Sequence, residues 1–212
     1  MDKRDQFLAD VAGDDHHAAL LVAQVGAMPT EIQLIVDVAR YDESVDGLRP
    51  LRSYIIRVVG AIEHGISDLG TTSDDVRLLT RHPLLYQYTD EAAALFFRGR
   101  PDDANALALD IAQAHASTFG PWRHFPEYIN PAQSLLTLLT SGGGLLGQMP
   151  KSLADALVPV LTHHGLETKV MLDVPQVAKA EGPLRDQDLQ VLLIGHSYFV
   201  SYAFSFDEVG KV

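Results

Sequence analysis

LQVLLIGHSYFVSYAFSF, residues 189–206, decides how the C-terminal part of the chain folds. Tyr198, Val200, Tyr202, Phe204 and Phe206 alternate with Ser201, Ala203 and Ser205, the period of two that belongs to a strand. Val191-Leu192-Leu193-Ile194 is a second apolar run just before it. A glycine at the first of two connecting positions favours a type II′ turn, so Gly195-His196 predicts a hairpin. It sets Leu193 opposite Tyr198, Val191 opposite Val200 and Leu189 opposite Tyr202 on one face, with Gln190 opposite Ser201 on the other. A one-residue slip would mix the faces, which fixes the register.

Gly195-His196-Ser197 also matches the opening of G-x-S-x-G, the sharp turn that exposes a serine nucleophile in α/β-hydrolases. Phe199 stands where the final glycine belongs, and a strand continues where the elbow needs a helix. Ser197 is therefore read as structural, and Ser197→Ala is expected to cost little.

The rest of the composition bounds the function. With 47% hydrophobic and 21% charged residues, 212 residues bury a sizeable core instead of staying disordered. A formal charge of −12 opposes binding to nucleic acid or an anionic membrane, since both require a positive field. The chain has no cysteine, which removes disulfides, zinc–thiolate sites and thiol nucleophiles. Neither an export signal nor an apolar run of about 18 residues is found, so a cytoplasmic protein is expected.

Upstream of residue 165 the pattern reads as helices punctuated by glycine and proline. Asp14-Asp15 opens a helix through Ala18–Val22, Thr30-Glu31 opens another toward Val38, and Pro50 opens a third. The stripe Leu51, Tyr54/Ile55, Val58, Ile62, Ile66 and Leu69 supports the third with spacings of three and four. Further helices follow Thr89-Asp90-Glu91, run from about Asp102 to Phe119, begin at Asn130-Pro131 and end at Gly142, and begin at Lys151 or Ser152. Leu166 to Val174 alternates as a half-exposed strand, and a connection with Pro175, Gly182 and Pro183 leads to the hairpin. The expected fold is α+β in a single domain over 1–212: a mostly helical part over about 1–165, packed on a small antiparallel C-terminal sheet over about 166–212 with the 189–206 hairpin.

Three places offer ligand chemistry. Gly142, Gly144 and Gly147 spell G-x-G-x-x-G, with Gly143 between the first two. A nucleotide loop needs a strand before it and a helix after it, whereas a loop between helices is the plainer reading here. Trp122, Arg123 and His124 lie in a Pro-bracketed loop that combines stacking surface with an anion-holding guanidinium, or simply packs by burial. Arg49 and Arg52 flank a presumed helix start, where an anionic ligand or the nearby Asp42, Glu43 and Asp46 would offset them. Nine histidines include the adjacent pairs His16-His17 and His163-His164, whose side chains diverge on a helix. No metal or cofactor is inferred, although Asp14, Asp15, His16 and His17 would suffice for part of a site. His115 is read as a hydrogen-bonded core histidine.

These readings favour a soluble binding or interaction protein, with Arg49, Arg52, Trp122, Arg123, His124, Gly142, Gly143 and Gly144 as candidate ligand-binding residues. The partner would be a protein or a small molecule, and a free edge on the terminal strand would also allow a homo-oligomer. The competing reading is an enzyme acting on an anionic small molecule through the Arg-rich and Gly-rich loops.

Overall fold

The computed structural model of the protein describes residues 2–28, 30–172 and 188–209. It forms two compact units, one built from Met1–His82 with Ala180–Val212 and the other from Pro83–Lys179.

The first unit carries helix α1 (Lys3–Asp10) and strands β1 (His16–Val25), β2 (Glu31–Asp42), β3 (Gly47–Gly65), β4 (Thr72–Ser73), β5 (Val76–Leu79), β9 (Gln190–Ile194) and β10 (Ser197–Glu208). They form one antiparallel sheet in the order β4-β1-β2-β3-β10-β9-β5. Its two edge strands are consecutive in sequence, with only Asp74 and Asp75 between them. Three peptide steps span at most about 11 Å, so the sheet curls until its edges approach. Leu20, Leu34, Val36, Tyr54, Ile56, Val58, Leu192 and Phe199 fill its core. Phe7 of α1 enters that core, stacked on Phe206 at 5.0 Å and edge-on to Tyr54 at 5.1 Å.

The second unit has a three-stranded antiparallel sheet, β7-β6-β8, from β6 (Ala92–Arg98), β7 (Gly143–Pro150) and β8 (Glu167–Leu172). Helices α2 (Tyr86–Thr89), α3 (Ala104–Phe119), α4 (Leu135–Thr140) and α5 (Lys151–His163) accompany it. Leu107 and Ile111 of α3, with Leu153, Leu157 and Leu161 of α5, join Ala93, Leu95 and Phe97 in one core. Asp103 caps α3 by accepting from the Asn105 and Ala106 N–H groups, and Asp90 accepts from the Ser152 N–H at the start of α5.

Strand makes up 45% of the described residues and helix 28%, so the expectation of a mostly helical part over about 1–165, on a small C-terminal sheet, is wrong. The segments read as helices at Ala18–Val22, from Thr30, from Pro50 and after Glu91 are β1, β2, β3 and β6. The stripe on β3 satisfied spacings of three and four by chance. The residues that are fully buried, Tyr54, Ile56 and Val58, are two apart. Pro50 lies beside an irregularity in the β2–β3 register between Val38 and Ala39, the kind of position that tolerates a residue without an N–H. Helices α3 and α5 agree with the sequence, and α4 is shorter than expected because Asn130 caps a turn onto the Ala132 N–H and Ser134 caps the helix.

The C-terminal hairpin has the expected register: Tyr198 pairs with Leu193, Val200 with Val191 and Ser201 with Gln190. The proposed Leu189–Tyr202 pair lies beyond β9. Gly195 has φ +59 and His196 is not left-handed, as a II′ turn requires. Strand β10 pairs with β3 over Tyr198–Glu208 and with β9 over Ser197–Ser201 only. Asp173, Val174 and the Pro175–Pro183 connection lie outside the described residues.

Candidate functional site

The arginines named from the sequence lie on strand β3, not at a helix start. Arg49 pairs with Asp42 at 2.7 Å, one of the carboxylates expected to offset it. Arg52 donates from Nη1 to both oxygens of Asp10, at 2.8 and 2.6 Å, and lies 3.4 Å from Glu208. Tyr54 donates its hydroxyl to the same Asp10 at 2.6 Å; burial first, then that bond, pushes the phenol far above its ordinary value. Both guanidinium groups are thus neutralised within the first unit.

Ser197 is fully buried, and its Oγ accepts the N–H groups of Ser67 (3.1 Å) and Asp68 (3.3 Å). Neighbouring His196 is held by Asp68, whose Oδ2 accepts the backbone N–H at 2.8 Å and lies 3.0 Å from Nδ1. The His196 backbone bond is the main cause of the lowered Asp68 pKa. Of the acidic and histidine group near the N-terminus, His16 is buried. Arg40 reaches its Nε2 at 2.8 Å and Asp15 lies 2.9 Å from its Nδ1, so an always-charged donor occupies Nε2. Among the described residues no three His, Asp or Glu side chains gather as a metal site.

In the second unit, the loop after α3 starts with a 3-10 turn, Gly120–Trp122. Arg123 has only 7% of its side chain exposed; it donates to the Leu84 carbonyl at 3.3 Å and lies 3.9 Å from Glu127. Trp122 is half-buried and His124 exposed. The glycines do not form a phosphate loop, because α4 precedes them and β7 takes them up. Gly142 ends α4 with φ +93. A side chain on Gly143 would come within 2.9 Å of the Phe97 carbonyl, and one on Gly147 within 1.9 Å of the Tyr128 carbonyl. These glycines let backbone pack on backbone.

That last approach builds a cleft. Ile129 bridges to Gly147, the Asn130 N–H donates to the Leu146 carbonyl at 2.8 Å, and Asn130 Nδ2 donates to the Leu145 carbonyl at 3.1 Å. The segment from Pro126 to Pro131, with Gln133, Ser134 and Leu135, thereby faces Leu145, Gly147 and Gln148 of β7 across a cavity of about 840 Å³. Tyr128 occupies its wall with φ +74, a strained conformation for a bulky residue. Its ring stacks on Phe119 at 5.4 Å and its hydroxyl donates to Gln87 at 3.0 Å, which hold it there. Trp122, Arg123, His124 and Gly142–Gly144 flank this cleft in sequence without lining it. Glu127 is the only charged side chain among its described lining residues. The sequence did carry one signal for it: Asn130-Pro131 reads as a turn as readily as a helix start.

Compared with protein-family models, curated proteins and solved structures, the chain matches none of them. No described helix is long and apolar enough to cross a membrane.

Proposed function

We propose that the protein is a binding protein whose ligand occupies the cleft between residues 126–135 and β7. The observation that carries this reading is strained Tyr128 at the wall of a cavity of about 840 Å³, within the size range of small-molecule sites. The lining favours an uncharged, partly apolar ligand that bears amide or hydroxyl groups. Gln133 and Gln148 are exposed amides set against Ile129, Leu135 and Leu145, and the single charge, on Glu127, would repel an anion. Arg49 and Arg52 belong to the first unit and are already paired, which weighs against the anionic-substrate reading.

A thermal-shift panel of nucleosides, monosaccharides and amino-acid amides, each beside its phosphorylated or free-acid counterpart, tests the proposal. A ligand that prefers the folded protein raises its melting temperature. Uncharged members are expected to raise it, and Gln133→Trp, an exposed position that fills the cleft, to abolish the rise. A shift given only by the anionic members and unaffected by Gln133→Trp would sink the proposal and restore the enzyme reading.

A further inference from the structure

Behind the cleft wall lies a histidine that the binding reading leaves unused. His115 of α3 is 1% exposed, with its ring 5.0 Å from that of Phe119 and edge-on to Phe125 at 5.6 Å. Its ring is hydrogen-bonded to the backbone of Glu127, and because that bond favours the charged ring, the ring N–H is the donor. The remaining nitrogen, Nε2, is buried without a hydrogen-bond partner among the described residues. In the neutral ring it is a buried, bare lone pair. Protonation would convert it to a charged, unsatisfied N–H, and burial opposes that strongly.

We propose that His115 is a proton-operated latch for the cleft: the neutral ring pins the segment 125–128 against α3, and the protonated ring releases it. Phe125 and Glu127 are the two residues the ring touches on that segment, and Pro126, Glu127 and Tyr128 are cleft wall. Burial is the larger influence on the ring and outweighs the Glu127 bond, so its pKa lies below 6.5. The ionisable groups on the loop are Arg123 and Glu127, which present opposite charges 3.9 Å apart, with exposed His124 and half-buried Tyr128. Tyr86 of α2 meets the same Phe119. On α5, which packs along α3, Lys151 and Asp155 pair with each other, His163 lines a surface pocket with Asp110, Gln113 and Ser117 of α3, and His164 just after the helix pairs with Asp110 at 2.7 Å; α4 and the 3-10 turn Pro83–Leu85 carry no ionisable side chain. Desolvation of the ring therefore governs the latch. Its effect on ligand rests on the proposed cleft site, whereas the movement of the wall does not.

Trp122, the only tryptophan, lies three residues before Phe125 and reports on the wall by fluorescence. Between pH 8 and 5 the whole protein should show a reversible emission change with its midpoint below 6.5, while far-UV circular dichroism stays constant. The change should vanish in His115→Gln and persist in His124→Gln. Persistence in His115→Gln, loss in His124→Gln, or coincidence with global unfolding would overturn the latch. Hydrogen exchange on the unmutated protein keeps the test decisive if His115→Gln fails to fold. Corrected for intrinsic rates, peptide 121–130 should lose at least threefold protection between pH 7.5 and 5.5 while peptide 197–208 keeps its own; equal protection at both pH values would reject the proposal. A working latch with no ligand shift would leave the cleft reading alone in doubt.

Discussion

Burial turns Ser197 from a candidate nucleophile into an acceptor that satisfies two backbone donors. Removing the hydroxyl takes the acceptor away from the Ser67 and Asp68 N–H groups, and an intramolecular hydrogen bond contributes about 0.5–1.5 kcal/mol. The small cost expected from the sequence is therefore revised upward: Ser197→Ala should lower the urea midpoint clearly, and a midpoint within error of the parent would contradict the assigned bonds. Asp10→Ala tests the other buried polar cluster, because it strands the Tyr54 hydroxyl and removes the main partner of Arg52. Hydrogen bonds to charged groups contribute about 1.5–3 kcal/mol, so a loss of that order is expected, and adding Tyr54→Phe should recover the part that comes from the stranded hydroxyl. Acid stability follows from two histidines. Burial is the main cause that holds both His82 and His115 below 6.5, so the unfolded chain binds more protons than the folded one as pH falls through that value. Their contribution is complete above pH 6.5 and lost below it. Urea midpoints at pH 8, 6.5 and 5.5 should fall slightly between the first two and more steeply to the third; a rise toward pH 5.5 would show that the sign is wrong.

At the scale of elements, the hairpin was legible and the long strands were not, for one physical reason. Residues 189–206 carry their own turn, and Gly195 supplies the positive φ that a II′ connection requires. A side chain there would meet Asp68 Oδ2 at 3.0 Å and Ser73 at 3.3 Å, so Gly195→Val combines left-handed strain with crowding. A loss of about 1–2 kcal/mol or more is expected in denaturant titration, and a neutral outcome would mean that the turn relaxes to another type. By contrast, β6 begins with three alanines and lies between two other strands, so propensity pointed to helix while pairing on both sides decided for strand. β1 misled in the same way, since a register irregularity between Leu20 and Val22 breaks the alternation a strand would show. β2 and β3 are rich in β-branched residues, but β3 also contains Pro50, and a proline reads as a helix start until a partner strand with an irregular register is known. The cleft was half legible. Its loop and its glycines stood out by composition, whereas the lining residues depend on the Ile129–Gly147 bridge, a pairing between residues too far apart in sequence for any period to reveal.

The chain as a whole has one strand order that explains its length. β5 and β9 are hydrogen-bonded neighbours, with Leu79 opposite Val191, yet the entire second unit separates them in sequence. His82 and Asp188 each lie three residues beyond that pair, so the chain leaves and re-enters the first unit at what would otherwise be a hairpin loop. Loop positions of this kind accept inserted domains because neither unit's core crosses the junction. The cores agree with that: Phe97, Leu107, Ile111 and Leu157 cluster within the second unit, and Leu34, Tyr54, Ile56 and Phe199 within the first. Replacing residues 83–187 by about five Gly, Ser and Asn residues, an ordinary hairpin-loop length, should therefore leave a first unit that folds. Residues 83–172 expressed alone should likewise fold around their own sheet and helices. Each fragment is expected to unfold in a single cooperative transition with dispersed methyl resonances, as a domain with its own core does. A fragment 83–172 that lacked cooperativity, while the shortened first unit kept it, would show that the second unit draws stability from the first, and the insertion would then have to be treated as part of one fold.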